Sequence, residues 1–436
     1  MPVMALTDLP AEWIEEETHP ADIAAHLSEM EPDEAWPLMK ALPLDVQAEV
    51  FGYLHPETQG PLIDKMSRKQ VSALITEMDA DDRADVFNRL SEEQQEKLMP
   101  GLAQVERENI RKLAAYEEGT AGAIMTSDYV TLSPDLTAKR AIEQLRHEAP
   151  DKETIYRAYV VDAERRLIGT VRLQELILAE PSTPISELME EDPIHVLVDE
   201  DQEQVARMIA RYDIIAIPVV DHEHHLVGIV THDDAIDTLE EEATEDFQKL
   251  GASGAIGQSV RRAGISMLYR ARIGWLVLLV FGNLLSGFGI AYFEDTIAAH
   301  LALIFFLPLL IASGGNAGSQ ASTLMVRAMA TGDVRSKDWA RLLGREALVS
   351  LLLGLSMAVA VSGLGFFRGG PEIAAVVAMS MVCIVIVGSL IGMSLPFILS
   401  RFNLDPATAS APLVTSIADA TGVVIYFSIA TLVLFT

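Results

Sequence analysis

The sequence predicts a multidomain chain: an all-α superhelical N-terminal domain, a duplicated α/β pair, a connecting helix, and an all-α transmembrane domain of five helices. Three observations predict it. Charge divides near residue 250, with 21 Lys+Arg against 55 Asp+Glu before that point and 11 against 8 after it, within a total net charge of −31. Two internal duplications of different grammar occupy the acidic half, and the remainder holds five apolar stretches near the ~20 residues that a hydrocarbon core requires. The expected boundaries are an N-terminal tail at 1–20, helical repeats at 21–120, the α/β pair at 121–238, the connecting helix and linker at 239–258, and the membrane domain at 259–436.

The first duplication aligns ALPLDVQAEVFGYL at 41–54 with EMDADDRADVFNRL at 77–90, an offset of 36 residues. Asp45, Ala48, Glu49, Val50, Phe51 and Leu54 match Asp81, Ala84, Asp85, Val86, Phe87 and Leu90. Apolar residues three and four apart read as stacked helix pairs, an α-solenoid segment. Asp45 and Asp81 stand where an N-cap or first-turn residue is expected. Asp85 lies one turn later, where capping does not explain it. The N-terminal MPVMALTDLPAEWIEEE has neither a basic n-region nor an apolar h-region, so no signal peptide is expected. The single cysteine, Cys383, excludes a disulfide framework.

The second duplication pairs residues 122–176 with 185–236, and each copy reads as a strand, a helix, and a hairpin running into a helix. The hairpins are VVDAERRLIGTV and VVDHEHHLVGIV. This grammar resembles a tandem pair of CBS domains over about residues 120–240. In such modules a G-x-x-T-x-x-D run, here Gly228, Thr231 and Asp234, can receive a nucleotide ribose and phosphate, so the resemblance implies an ATP site at Thr231 and Asp234. The first copy departs from it, with Arg172 and Glu175 at the Thr and Asp positions. His222, His224 and His225 have ligand chemistry, but they fall at a hairpin tip where a polar solvated turn is the plainer reading.

The connecting helix carries Asp234, Asp237, Glu241 and Glu245 at three- and four-residue spacing, with Asp233, Glu240, Glu242 and Asp246 on neighbouring faces. Like charges so spaced cost a few tenths of a kcal/mol per pair, and divalent cations reverse that sign. The plain alternative is a solvated acidic linker. Its position, one GASGAIGQS linker (251–259) ahead of the first apolar span, favours a ligand.

The apolar spans are expected at Ile273–Phe293, His300–Met329, Ala347–Phe367, Ile373–Leu399 and Ala407–Phe435. Arg261, Arg262, Arg270 and Arg272 precede the first; Arg327, Arg335, Lys337, Arg341 and Arg345 follow the second; Arg401 follows the fourth. The positive-inside rule then places the acidic half in the cytoplasm and the C-terminus outside, in a multi-pass plasma (inner) membrane protein. Asp419 is the one charged residue of the last span. An ionised group at that depth costs roughly 2.5–3.5 kcal/mol, which makes it a transport or coupling site by default. In the second span PLLIASGGNAGSQ (308–320) is rich in glycine and amides. Small residues there permit close helix approach. Alternatively, Pro308 and the Gly-Gly pair loosen the helix and expose carbonyls to an ion path, with Gly314, Gly315, Asn316 and Gln320 as lining candidates. Oxygen ligands without clustered Cys or His suit Mg²⁺ or Ca²⁺ rather than softer metals. Magnesium is typically held by one or two carboxylates with its waters, so one Asp per chain predicts a homodimer.

Along nearly its whole length this organisation resembles the MgtE family of magnesium channels and transporters, most specifically in PLLIASGGNAGSQ, LEEEATEDFQKL (239–250) and LDPATASAPLVTSIADATGVVIYF (404–427). The resemblance implies that Asp419 binds hydrated Mg²⁺ in a pore on a dimer axis. It also implies that cytoplasmic Mg²⁺ bridges the acidic modules and a connecting "plug" helix to close the gate. By position it implies regulatory metal roles for Glu49, Asp81, Asp85, Glu203, Asp213, Asp234, Asp237, Glu242, Glu245, Asp246 and Asp405. Rival functions are weaker. No nucleophile-base pair, Walker motif or HExxH run indicates an enzyme, and a nucleotide-gated anion carrier would need basic residues in its spans. A transporter of another divalent cation, Co²⁺ or Ca²⁺, is the nearest alternative.

Overall fold

The computed structural model describes residues 18–251, 264–402 and 404–435. Most of the expected tail, most of the GASGAIGQS linker, and Arg261 and Arg262 lie outside these. The chain divides after Glu242 into two compact units.

The first unit opens with eight short helices: α1 (Pro20–Ser28), α2 (Pro32–Ala41), α3 (Leu44–Tyr53), α4 (Pro56–Lys65), α5 (Arg68–Glu77), α6 (Ala80–Arg89), α7 (Glu92–Leu98) and α8 (Gln104–Leu113). Their first residues fall 12 apart, from 20 to 104. The expectation of helix pairs is therefore corrected: the 36-residue repeat contains three helices, and α2 to α6 are each followed by a two-residue extended connector, whereas α7 runs into a 3₁₀ turn at 99–101. The cause is an apolar residue every 12 positions that leaves the helix with extended backbone and turns to the core, buried at Leu42, Leu54, Met78, Leu90 and Leu102 and partly buried at Met66. Each helix packs on the next but one, which winds the row into a superhelix around Leu27, Met39, Phe51, Leu62, Leu74 and Ile75.

Two α/β modules follow. The first is β1 (Thr131–Leu132), α9 (Ala138–Glu148), β2 (Arg157–Val161), β3 (Leu167–Arg172), α10 (Leu173–Leu178), α11 (Ile185–Leu188) and β4 (Glu190–Glu191). The second is β5 (Val196–Leu197), α12 (Gln202–Tyr212), β6 (Ala216–Val220), β7 (Leu226–Thr231) and α13 (His232–Leu250). In each, a short strand pairs parallel with the hairpin's first strand, and the hairpin pairs antiparallel. The hairpin tips meet, with Leu167 N–H donating to the His224 carbonyl and Leu226 N–H to the Arg165 carbonyl. Arg165 and His224, at equivalent positions, both adopt positive φ.

The second unit is helical: α14 (Ile265–Tyr292), α15 (Glu294–Ala299), α16 (Ala302–Ala330), α17 (Trp339–Arg401) and α18 (Ala411–Leu434). Among the described residues four helices are long and apolar enough to cross a membrane. The 63-residue α17 is broken at Gly370, whose φ of 82° is open to glycine at little cost. Its limbs double back: a Cβ added at Gly365 would meet Ala374, and one at Gly354 would meet Val382. The two spans expected at 347–367 and 373–399 are these limbs. Leu303, Phe306, Met381, Ile384, Tyr426 and Phe427 form the bundle's core, and the Tyr426 hydroxyl donates to the Leu303 carbonyl at 3.0 Å.

Candidate functional site

Helix α16 runs unbroken through Pro308 and the Gly-Gly pair, so the expected loosening of its backbone is corrected. Helical periodicity gives its glycines two separate roles. Gly314 and Gly318 lie against Ile384 and Gly388 of α17, and a Cβ at Gly392 would fall on the Gly318 carbonyl. Both helices thus contribute a small-xxx-small face, 314/318 and 388/392, that brings their backbones together. Gly315 points elsewhere: its missing Cβ would stand 3.4 Å from Asp419 Oδ1 and 3.1 Å from Thr415 Cγ2. Asp419 is half-buried on α18 and makes no hydrogen bond or ion pair among the described residues. Asn316 and Gln320, one turn apart, are exposed.

A second concentration of carboxylates lies inside the first unit. Ala80 and Ala84 of α6 enter the same core as Ala235 and Leu239 of α13, and small side chains on both allow close approach. That packing sets Asp81, Asp82 and Asp85 beside Asp234, Asp237 and Glu241, with Glu153 added from the first module. Burial, then repulsion from Asp79, Asp85 and Asp237, pushes Asp82 up to about 6. Burial, then Asp79, Asp234, Asp233 and Asp82, pushes Glu153 up to about 8. Asp81 and Asp234 are raised by burial and by neighbouring carboxylates, and Asp85, Asp237 and Glu241 are raised too. One carboxylate oxygen of Asp81 is buried without a hydrogen-bond partner. Glu49 is exposed on α3 and, with Asp233, Asp82 and Asp237, adds to the burial that raises Tyr53. Among the described residues no three His, Cys, Asp or Glu side chains converge as a direct metal chelate. The cluster is a concentration of crowded carboxyl groups whose burial and mutual repulsion raise several of them.

Three family models match the chain: an intracellular N domain of MgtE at 18–119, CBS domains at 121–182 and 185–241, and a divalent cation transporter domain, MgtE, at 307–429. The magnesium transporter MgtE of Thermus thermophilus is 40% identical over 96% of this chain and 94% of its own length. The chain belongs to the MgtE family. The MgtE of Bacillus subtilis is 34% identical over 95% of this chain and 92% of its own. A crystal structure of the cytosolic domain of the Mg²⁺ channel MgtE in complex with ATP matches with a TM-score of 0.50 at 37% identity, covering 52% of this chain and 93% of that one. The soluble part of a magnesium transporter matches with the same score at 32% identity, covering 53% and 91%.

Most of the remaining expected positions are already engaged. Glu203 pairs with Arg207 on α12, and Asp213 ends that helix with left-handed backbone. Glu242 accepts from Gln202 at 2.7 Å, and Asp246 lies one position beyond Glu245 on α13. Asp405 caps the 3₁₀ turn at 406–408, accepting from Ala407 N–H, and it also accepts from Lys249 at 2.6 Å. Lys249 reaches Glu245 at 2.6 Å as well. In the second module Thr231 donates to Asp234 at 2.6 Å. His225 holds Asp221, and His222 lies 3.5 Å from Asp199, as a solvated turn requires. Sequence reasoning missed Glu153, Asp82, Asp79 and Lys249. Glu153 sits in a loop and carried no signal. Lys249 did carry one, as the lone cation four residues after Glu245.

Proposed function

We propose that this protein imports Mg²⁺ across the plasma membrane past Asp419, and that cytoplasmic Mg²⁺ closes the path by binding its acidic half. The observation that carries the reading is Asp419, a carboxylate without an intramolecular partner among the described residues, in the middle of an apolar helix and facing a glycine that leaves room beside it. A transporter role also accords with the names of the two relatives that match nearly the whole chain, both magnesium transporters. A hydrated divalent cation suits a single carboxylate repeated by a second copy of the chain, so the functional unit is a homodimer with two Asp419 side chains on its axis. Gly315, Asn316 and Gln320 of α16 line that path, and Gly314 braces it. Interior-negative potential favours entry by about 4.6 kcal/mol per 100 mV for a divalent ion.

Feedback follows from charge. Without Mg²⁺ the carboxylates of Glu49, Asp81, Asp85, Asp234 and Asp237 repel one another across the α6–α13 junction. Bound Mg²⁺ favours the compact arrangement by mass action. Glu203, Asp213, Glu242, Glu245, Asp246 and Asp405 extend the sensor to the α/β pair, the connecting helix and the mouth of the last span. Functionally the chain divides at 21–120, 121–238, 239–258 and 259–436, with the acidic half cytoplasmic and the C-terminus outside. ATP at Thr231 and Asp234 is a second reading, favoured by the ATP complex of the solved relative. The carboxylates around Asp234 disfavour phosphates on that side, which ranks it behind the metal role.

Asp419→Ala tests the path. Uptake of Mg²⁺ into liposomes falls to background while the protein still elutes as an intact dimer. Uptake at the wild-type rate removes Asp419 from the path.

A further inference from the structure

The last turn of α13 meets the helical bundle through two contacts of different chemistry. Leu250 packs into a small apolar cluster with Val326, Leu395, Leu399, Ala407 and Ala409. Immediately beside it, the Lys249 ammonium donates to Asp405 Oδ2 and to Glu245 Oε1, each at 2.6 Å. All three charged side chains are partly buried. Two oxygens each 2.6 Å from one nitrogen lie no more than twice that apart, so one cation serves both.

We infer that Lys249 is a tethered cation that latches the connecting helix to the mouth of the last span by occupying the carboxylate pair Glu245 and Asp405. The inference rests on the reading of that helix as the closing element, and it adds a contact that needs no metal. A hydrated Mg²⁺ between Glu245 and Asp405 would have to displace the ammonium, because both ions need the same oxygens. The latch gives the helix a baseline of docking at zero Mg²⁺ and makes metal binding at this pair an exchange of one cation for another. Lysine suits such an exchange, since its ammonium is a compact point charge on a flexible stem, able to leave and return. Removing it leaves Glu245 and Asp405 facing each other uncompensated, which drives the helix away from the bundle until a divalent ion arrives.

The test is limited proteolysis of the full-length protein in nanodiscs by chymotrypsin, which cuts after the exposed Phe247 (79% accessible). Cleavage of a locally released segment tracks the population of the released form. In EDTA, Lys249→Met is cleaved about two- to fivefold faster than wild type, the range of one partly exposed ion pair. Lys249→Arg keeps the wild-type rate, and Lys249→Met/Asp405→Asn is cut no faster than Lys249→Met alone, because both changes break one contact. Equal rates for wild type and Lys249→Met in EDTA, or a double variant faster than either single one, overturns the latch. Millimolar Mg²⁺ tests the other reading separately: it slows cleavage of wild type and of Lys249→Met if metal closes the helix. No protection of either by Mg²⁺ sinks feedback closure, while the comparison in EDTA still decides the latch.

Discussion

At Gly392 the fold accepts nothing larger than a hydrogen, since a methyl group there would overlap the Gly318 carbonyl. Backbone cannot step aside cheaply in a packed bundle, and overpacking costs about 1–3 kcal/mol. Gly392→Ala therefore lowers the thermal unfolding temperature in detergent, whereas Gly363→Ala, with open space around it, leaves the temperature unchanged or raises it. A drop of equal size in both variants would contradict this packing. The same residues show what the sequence could and could not resolve. The run from 313 to 320 was legible as special, yet not as two faces. Gly314 and Gly318 recur at i and i+4 toward α17, while Gly315 is rotated by about 100° toward Asp419, and only the partners' positions separate helix packing from ion path.

Among elements, the α6–α13 junction titrates near neutrality. The carboxyls of Asp82 and Glu153 are raised to about 6 and about 8. Each is therefore protonated more readily folded than unfolded. A raised carboxyl contributes stability that is complete below its unfolded pKa and is lost as pH rises through the folded value. In EDTA the unfolding temperature of the first unit, followed in the full chain, falls as pH is raised from acid to alkaline through both of those values. Each kcal/mol lost lowers it by about 2–4 °C in a body of this size. Glu153→Gln flattens the upper part of that slope, and millimolar Mg²⁺ restores stability on the alkaline side. A temperature that rises with pH in EDTA would refute the cluster. Asp81 and Asp85 were visible in the sequence through the 36-residue repeat. Glu153 was not, because a loop position acquires meaning only when tertiary packing delivers it. The 12-residue helix period was legible too, in the spacing of Leu42, Leu54, Met78, Leu90 and Leu102, but the longer match between 41–54 and 77–90 obscured it.

Across the whole molecule, the charge division near residue 250 and the duplicated hairpins revealed the order of modules, because both are written in composition and short-range pattern. The reversal at Gly370 was legible as well, because Arg368, the glycine pair, Pro371 and Glu372 interrupt the apolar run between the spans expected at 347–367 and 373–399. The proposed regulated path rests on two features of the chain together: a lone carboxylate in the last apolar helix and an acidic half whose carboxylates are crowded at one junction. The direct test is Mg²⁺ flux into liposomes holding the full-length protein, oriented with its acidic half inside, while internal Mg²⁺ is raised from micromolar to several millimolar. Feedback closure predicts flux that is high at low internal Mg²⁺ and falls steeply in the millimolar range, beyond the loss expected from the reduced gradient. Flux that tracks the gradient alone at every internal concentration would contradict it.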